Sequence, residues 1–201
     1  MNKTALYIVA TPIGNLKDIT LRALETLKEA DLILAEDTRI TQKLLNHYGI
    51  KKPVKSCHEH SPDSVYKFIN EKLKEGRNIA LVTDAGTPGI SDPASRLISF
   101  IRNQSVLSEI KGLHHKTIPI PGPSAITAAL SASGVNADRF TFIGYPPPKK
   151  GRQTFFRELK EIKTGITDGK KIEITEGITE DDIILSSSKA PKRDRTAQTR
   201  F

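Results

Sequence analysis

The sequence predicts an α/β protein with a largely parallel sheet, and three observations predict it. Short β-branched or apolar runs alternate with helix-period stretches over the first 145 residues, at the spacing of βα units. Two cap-plus-proline signals, Ser61-Pro62 and Asp92-Pro93, mark helix starts. Glycine- or proline-bearing turns follow three of the apolar runs, where strands of a parallel sheet hand over to helices.

Residues 6–10 read as the first strand, and Asp18 is placed to cap a helix with Leu21, Leu24 and Leu27 on one face. A second strand follows at 32–35. Ile40, Leu44, Leu45 and Tyr48 mark a helix that Gly49 ends, before a third strand at 54–57. Ser61 as cap and Pro62 as first helical residue open a helix that turns Val65, Phe68, Ile69 and Leu73 inward and stops at Gly76. A strand at 79–83 follows, and Asp92-Pro93 opens a helix through Leu97, Ile98 and Ile101. The strand at 117–120 runs into Pro121-Gly122-Pro123-Ser124, after which Ile126, Ala129 and Leu130 suggest a helix closed by Gly134.

That proline-glycine cluster sets the expected boundaries: an N-terminal α/β domain over 1–120, a partial C-terminal α/β domain over 121–188, and a basic, disordered tail over 189–201. Residues 146–163 read as a basic helix with Phe155 and Phe156 as its aromatic face. Beyond it, the alternation in Lys171-Ile172-Glu173-Ile174-Thr175 predicts one edge strand, and glycines 165, 169 and 177 interrupt anything longer.

Composition narrows the class. A chain of 201 residues with 37% hydrophobic residues can bury a core, which excludes a peptide hormone or a disulfide miniprotein. The net charge of +8 favours phosphate-bearing partners without choosing among them. The longest clean apolar run, residues 5–10, is too short for a membrane span or a signal peptide, and the single Cys57 forms no internal disulfide. A soluble, cytoplasmic protein is expected, with no membrane partner.

Three turns could hold a ligand: Thr11-Pro12-Ile13-Gly14-Asn15, the stretch from Asp84 to Ser91, and Pro121-Gly122-Pro123-Ser124. The second is the most informative, because two glycines, a proline and a serine between flanking carboxylates expose backbone N–H and C=O groups without side chains in the way. The fingerprints of dinucleotide, triphosphate and serine-hydrolase sites are missing from all three. Glu36, Asp37 and Arg39 sit at one strand-to-helix turn, where they could position a substrate or take a proton. The alternative is that Asp37 or Thr38 caps the helix and forms a local ion pair. In Cys57-His58-Glu59-His60 the two imidazoles could share a face. No third ligand falls at a metal-binding spacing, so no metal is expected and Glu59 and His60 read as polar cleft residues. Lys149, Lys150 and Arg152 could neutralise RNA phosphates or form a solvated face.

Five ordered strings carry a resemblance: residues 6–16, Ala35-Glu36-Asp37-Thr38-Arg39, Ser56-Cys57-His58-Glu59-His60, residues 84–93, and residues 119–125. Over about residues 5–152 the chain resembles the ribosomal RNA small subunit methyltransferase I family, within the tetrapyrrole methylase superfamily. The resemblance implies a two-domain homodimer that binds S-adenosyl-L-methionine in the trough between its domains. It implies a 2′-hydroxyl of a cytidine in 16S rRNA of the small ribosomal subunit as methyl acceptor. Carried over by position, Pro12, Asp84, Ala85, Gly86, Pro88, Ile90 and Ser91 would hold the cofactor from the first domain, and Pro121, Gly122, Ser124 and Ala125 from the hinge. Asp37, Glu36 and His60 are then candidate bases and Arg39 a candidate phosphate holder, with Lys149, Lys150 and Arg152 as RNA contacts. Residues 103–116 look like an inserted or remodelled loop, and the part after Lys163 looks divergent or truncated, so weak or absent activity is expected of this chain alone. The competing expectations are methylation of a tetrapyrrole on the same scaffold and a non-catalytic RNA- or ribosome-binding remnant.

Overall fold

The computed structural model describes residues 4–58, 60–92, 94–109, 116–147, 149–161, 163–167 and 172–176. The chain separates into two compact units, Met1–Ala128 and Ala129–Phe201.

In the first unit, β1 (Ala5–Val9), β2 (Leu32–Ala35), β3 (Val54–Ser56), β4 (Ile79–Val82) and β5 (Lys116–Ile120) form one parallel sheet in the order β3-β2-β4-β1-β5. Between them run α1 (Leu21–Glu29), α2 (Thr38–His47), α3 (Asp63–Lys74) and α4 (Ala94–Glu109), and α5 (Ala125–Ala132) follows β5. The steps β1 to β2 and β2 to β3 go one way across the sheet, and the next two come back. Right-handed crossovers therefore place α1 and α2 on one face and α3 and α4 on the other. Side-chain alternation agrees: Val9, Ile33, Ala35, Ala80 and Val82 pack with Leu27, Leu44 and Leu45, while Leu6, Ile8, Leu34, Ile79 and Leu81 pack with Ile69, Leu73, Leu97 and Ile101. A sheet covered on both faces explains why β4 is buried at all four positions.

Helix ends follow local chemistry, with some departures from expectation. Gly49 and Gly76 do follow α2 and α3. The N–H of Ile50 returns to the Leu45 carbonyl (2.8 Å) and that of Arg77 to the Lys72 carbonyl (3.1 Å), so each helix closes on its own last turn. Asp92 accepts from the N–H of Ala94 (2.8 Å) as a cap should, and Pro93 lies outside the described residues. The cap of α1 is Thr20, whose hydroxyl accepts from the Ala23 N–H (3.1 Å), and not Asp18, which belongs to a separate 3-10 turn, Leu16–Asp18. Starting the helix at Leu21 turns that side chain to solvent, 79% exposed, and buries Ala23, Thr26 and Leu27 instead. Pro62 has extended backbone (ψ 156°), so α3 begins one residue later than expected, and Ser61 accepts from the His58 N–H (2.9 Å) instead of capping it. Tyr66 takes the buried place expected of Phe68.

The expected loop over 103–116 is in part helix, because α4 continues to Glu109 and β5 begins at Lys116; residues 110–115 lie outside the described residues. In the second unit the basic helix is shorter than expected. The three prolines at 146–148 supply no backbone donors, and α6 (Arg152–Glu161) begins only after them, leaving Lys149 and Lys150 in the preceding turn. Two strands form where one was expected, β6 (Lys163–Thr167) and β7 (Ile172–Glu176), paired antiparallel with an irregular register. The expected tail, 189–201, lies outside the described residues.

The burial pattern makes a stability test. Leu27→Ala should cost about 2–5 kcal/mol through the cavity it leaves, while Leu21→Ala should stay within about 0.5 kcal/mol. Urea unfolding followed by circular dichroism measures both, and equal costs would contradict the Thr20 start of α1.

Candidate functional site

Every strand of the first unit ends at the same carboxyl edge, and the turns that leave β2, β4 and β1 depart to alternating faces. Such an edge opens crevices between neighbouring strands. A chain of hydrogen bonds crosses it. The N–H of Cys57, after β3, donates to the Ala35 carbonyl at the end of β2 (2.8 Å). Asp37 N–H donates to Asp84 Oδ1 (3.1 Å), and the Thr83 hydroxyl donates to Glu36 Oε2 (3.1 Å), joining the turns after β2 and β4. The buried Thr11 hydroxyl donates to the Thr83 carbonyl (3.1 Å). Thr11 and Gly86 exchange both backbone hydrogen bonds, at 2.8 and 3.1 Å, which locks the turn after β1 to the turn after β4. The Thr87 hydroxyl reaches the Pro123 carbonyl after β5 (3.4 Å).

Backbone conformation explains the residue types. Gly86 sits at φ +84°, a left-handed conformation that side chains strain, and a Cβ at Gly122 would stand 2.9 Å from the Ala10 Cβ. Ser91 holds φ 56°, an uncommon conformation for a residue with a side chain. Asp92 fixes the loop from below by accepting from the Gly89 N–H with both oxygens (2.9 Å each).

The structure brings the sequence-predicted cofactor residues to this one edge. Pro12, Gly86 and Pro88 are buried and form its base; Asp84 and Ser124 are half-buried; Ala85, Ile90, Ser91, Pro121, Gly122 and Ala125 are exposed. Thr11, at the head of the first ligand-type turn, and Thr83 join these turns, and neither was among the candidate site residues read from the sequence. Their only signal is a threonine at the end of each of two neighbouring strands.

The candidate bases are not equivalent. Asp37 caps α2 through the Arg39 N–H (2.8 Å), and the Arg39 guanidinium grips both its oxygens, at 2.6 Å from Nη2 and 3.0 Å from Nε. Of the two readings open for this turn, the structure realises the cap and local ion pair. The Arg39 side-chain bonds hold the Asp37 carboxyl down at about 2, and its backbone N–H adds to them. Glu36 keeps the Thr83 hydroxyl as partner, and His60 is exposed in the turn after β3, its backbone N–H donating to Nδ1 of His58 (3.2 Å). Cys57 packs in the core, where burial pushes its thiol up to about 11; Glu59 lies outside the described residues. Among the described residues no group of three His, Cys, Asp or Glu side chains gathers, and no helix is long and apolar enough to cross a membrane. In the second unit, Lys149, Lys150 and Arg152 are exposed. Two of them, with Gly151, Gln153, Thr154 and Phe156, line a recess of about 460 Å3, where Arg152 lies 5.7 Å from the Phe156 ring.

The family model of the tetrapyrrole (corrin/porphyrin) methylases matches residues 5–167. The chain belongs to this family. It is 49% identical over 157 residues to the ribosomal RNA small subunit methyltransferase I of Haemophilus influenzae, a match covering 78% of this chain and 52% of that protein. Against the protein of the same name from Halalkalibacterium halodurans it is 51% identical over 164 residues, covering 81% and 53%. The chain therefore spans about half the length of these curated relatives. A solved diphthine synthase is 22% identical with a TM-score of 0.49, over 68% of this chain and 51% of that one. The tetrapyrrole methylases use S-adenosylmethionine. The donor set at the carboxyl edge fits that group: the exposed chain at Ala85, Ile90, Ser91, Pro121, Gly122 and Ala125 suits an adenosine and an amino-acid moiety, and the carboxylates of Glu36 and Asp84 suit a sulfonium cation.

The Asp37 clamp has a pH signature. Because its folded value lies below the ordinary carboxylate value of 3.8, its stabilising contribution is complete above about pH 4 and is lost as pH falls towards 2. In a 13C-detected titration the Asp37 carboxyl should change near pH 2, and in Arg39→Ala it should move up towards 3.8. An unmoved midpoint would show that Arg39 is not its cause.

Proposed function

We propose that this chain binds S-adenosylmethionine at the turns after β1, β4 and β5. The same reading makes it a cytoplasmic methyltransferase acting on the ribose 2′-hydroxyl of a cytidine in 16S rRNA of the small ribosomal subunit. The observation that carries the cofactor reading is the locked edge, in which the Thr11–Gly86 exchange and the close approach of Gly122 to Ala10 fix three ligand-type turns against one another. The names of the relatives support the RNA substrate. For a homodimer the support is the family resemblance.

Bound there, S-adenosylmethionine supplies an electrophilic methyl group on a positively charged sulfur. The protein's part is to align acceptor oxygen, methyl carbon and sulfur, and to receive the hydroxyl proton. A carboxylate held at about 2 is a weak base, so Asp37 with Arg39 acts as a positioning pair, and Arg39 presents its remaining donors to a phosphate. Glu36 and His60 keep side chains outside any ion pair among the described residues and remain the candidate bases. Pro12, Asp84, Ala85, Gly86, Pro88, Ile90 and Ser91, with Pro121, Gly122, Ser124 and Ala125, form the cofactor edge. Lys149, Lys150 and Arg152 contribute phosphate contacts.

Gly86→Val strains a φ of +84° at the centre of the edge, and should weaken S-adenosylmethionine binding by about tenfold or more in isothermal titration while the melting transition survives. Undiminished affinity in the folded variant would sink the cofactor assignment. Methyl transfer to small subunits lacking the modification, read as radiolabel in cytidine 2′-O-methyl, tests the reaction itself.

Changing Lys149, Lys150 and Arg152 together to Ala should lower the slope of log K against log salt for subunit binding by about 0.7–0.9 for each phosphate that is no longer neutralised. A slope equal to the parent's would make these three side chains a solvated face only.

A further inference from the structure

The first unit carries a second feature that the cofactor edge does not use. From Thr38 to His58 the sequence contains no carboxylate, yet it holds Arg39, Lys43, Lys51, Lys52 and Lys55. On α1 and α3 the cations are instead interleaved with acids: Arg22 and Lys28 with Glu25 and Glu29, and Lys72 and Lys74 paired with Glu75 and Glu71. Among the described residues, Arg39 pairs with Asp37, whereas Lys43, Lys51, Lys52 and Lys55 pair with no carboxylate.

The fold gathers this stretch around one rim of the sheet. β3 is an edge strand, bonded only to β2, and α2 packs over the two of them through Leu44 and Leu45 beside Val54. The outer surface of α2 exposes Arg39 and Lys43 and the turn after it exposes Lys51; on β3, where Val54 faces α2, the next residue, Lys55, stands at the rim and faces the α3 side. Its ammonium lies 4.9 Å from the Phe68 ring centroid, which holds the charge in place on a 39% exposed aromatic. α2 alone is about 15 Å long, and it begins at the turn that holds Glu36 and Asp37. The patch thus starts at the candidate reaction edge and runs away from it down the β3 side.

We propose that this rim of the sheet, α2 with the turn at 51–52 on one face and Lys55 at the β3 edge, binds the phosphate backbone of the substrate RNA and leads it to the carboxyl edge. The inference rests on the RNA-methyltransferase reading above and adds to it a binding surface within the first unit. Unpaired lysines with no acid among them release counterions when they meet a polyanion, so binding here has a salt signature. An acidic protein partner would meet the same charges, but continuity with an edge proposed for ribose chemistry favours RNA.

The test uses the full chain and small ribosomal subunits lacking the modification, with affinity measured across a salt series. Lys43→Ala, Lys51→Ala and Lys55→Ala combined should weaken binding at least about tenfold and lower the salt slope by about two, and the matching triple Lys→Arg variant should restore both. Lys51→Glu alone, at an exposed turn where folding is insensitive, should weaken binding in the same direction. Lys17→Ala, Arg22→Ala and Lys28→Ala combined remove the same net charge and should leave the slope near the parent's. Parent-like binding by the Lys43/Lys51/Lys55 triple, or equal losses in both triples, would overturn the surface while leaving the RNA reading intact. If the parent chain itself does not bind the subunits, the RNA reading fails and this surface fails with it.

Discussion

The backbone exchange between Thr11 and Gly86 is the interaction on which the candidate site depends. β1 and β4 are neighbours in a parallel sheet, yet beyond their ends the chain at Gly86 runs antiparallel to the chain at Thr11, and each residue satisfies the other's N–H and C=O. Thr11 is only 2% exposed, so without this exchange its polar groups would be buried and unpaired, at a cost of about 1–3 kcal/mol for each. The turn can come close enough only because residue 86 adopts a left-handed conformation, and only glycine does so without strain. The Thr11 and Thr83 side chains extend the lock to the Glu36 turn, and Thr87 extends it to Pro123. One antiparallel contact at the end of a parallel sheet thereby fixes the relative position of four turns.

Much of the sheet was legible because parallel strands covered on both faces appear as short apolar runs, and the runs at 32–35 and 79–83 lie within a residue of β2 and β4. Helix starts were less legible. Asp18 and Thr20 are both good caps, two residues apart, and the local sequence does not say which of them faces a free N–H. In α3, Tyr66 and Phe68 differ by two positions on an apolar arc whose limits are set by α4 and the sheet, so periodicity alone could exchange them. The ligand-type turns were legible from glycine and proline, whereas the bonds joining them were not. Thr11 and Gly86 lie 75 residues apart, and their contact follows from strand order, which tertiary packing decides. At Glu36, Asp37 and Arg39 the residue types allowed two roles, and the 2.6 Å Asp37–Arg39 contact separates them by committing the Asp37 carboxylate to a cation.

The second unit has a different texture for a physical reason. Its described elements are one helix rich in cations and a two-stranded antiparallel hairpin whose register shifts twice. A two-stranded hairpin buries little apolar surface unaided, in contrast to the first unit, where two apolar clusters sandwich the sheet, and α5, which crosses from the first unit into the second, has no buried residue along its described length. The family match nevertheless runs through to residue 167 and so includes α6 and β6. Membership of the family therefore does not rest on the first unit alone, although the geometry of the candidate site does.

Charge is sorted within the first unit in the way the proposed reading requires. A sulfonium cofactor is favoured by negative potential and a phosphate backbone by positive potential, and one surface cannot provide both. The carboxylates of Glu36 and Asp84 stand at the ends of β2 and β4, the middle of the sheet, in no ion pair among the described residues. The acid-free stretch runs along α2 and the β3 edge, one strand further out. Arg39 stands at the junction, its charge matched by Asp37 and further favoured by Asp84, so the change of sign occurs across a single strand-to-helix turn. Strand order produces this separation: β4, inserted between β1 and β2, brings Asp84 to the centre and leaves β3, with Lys55, at the rim.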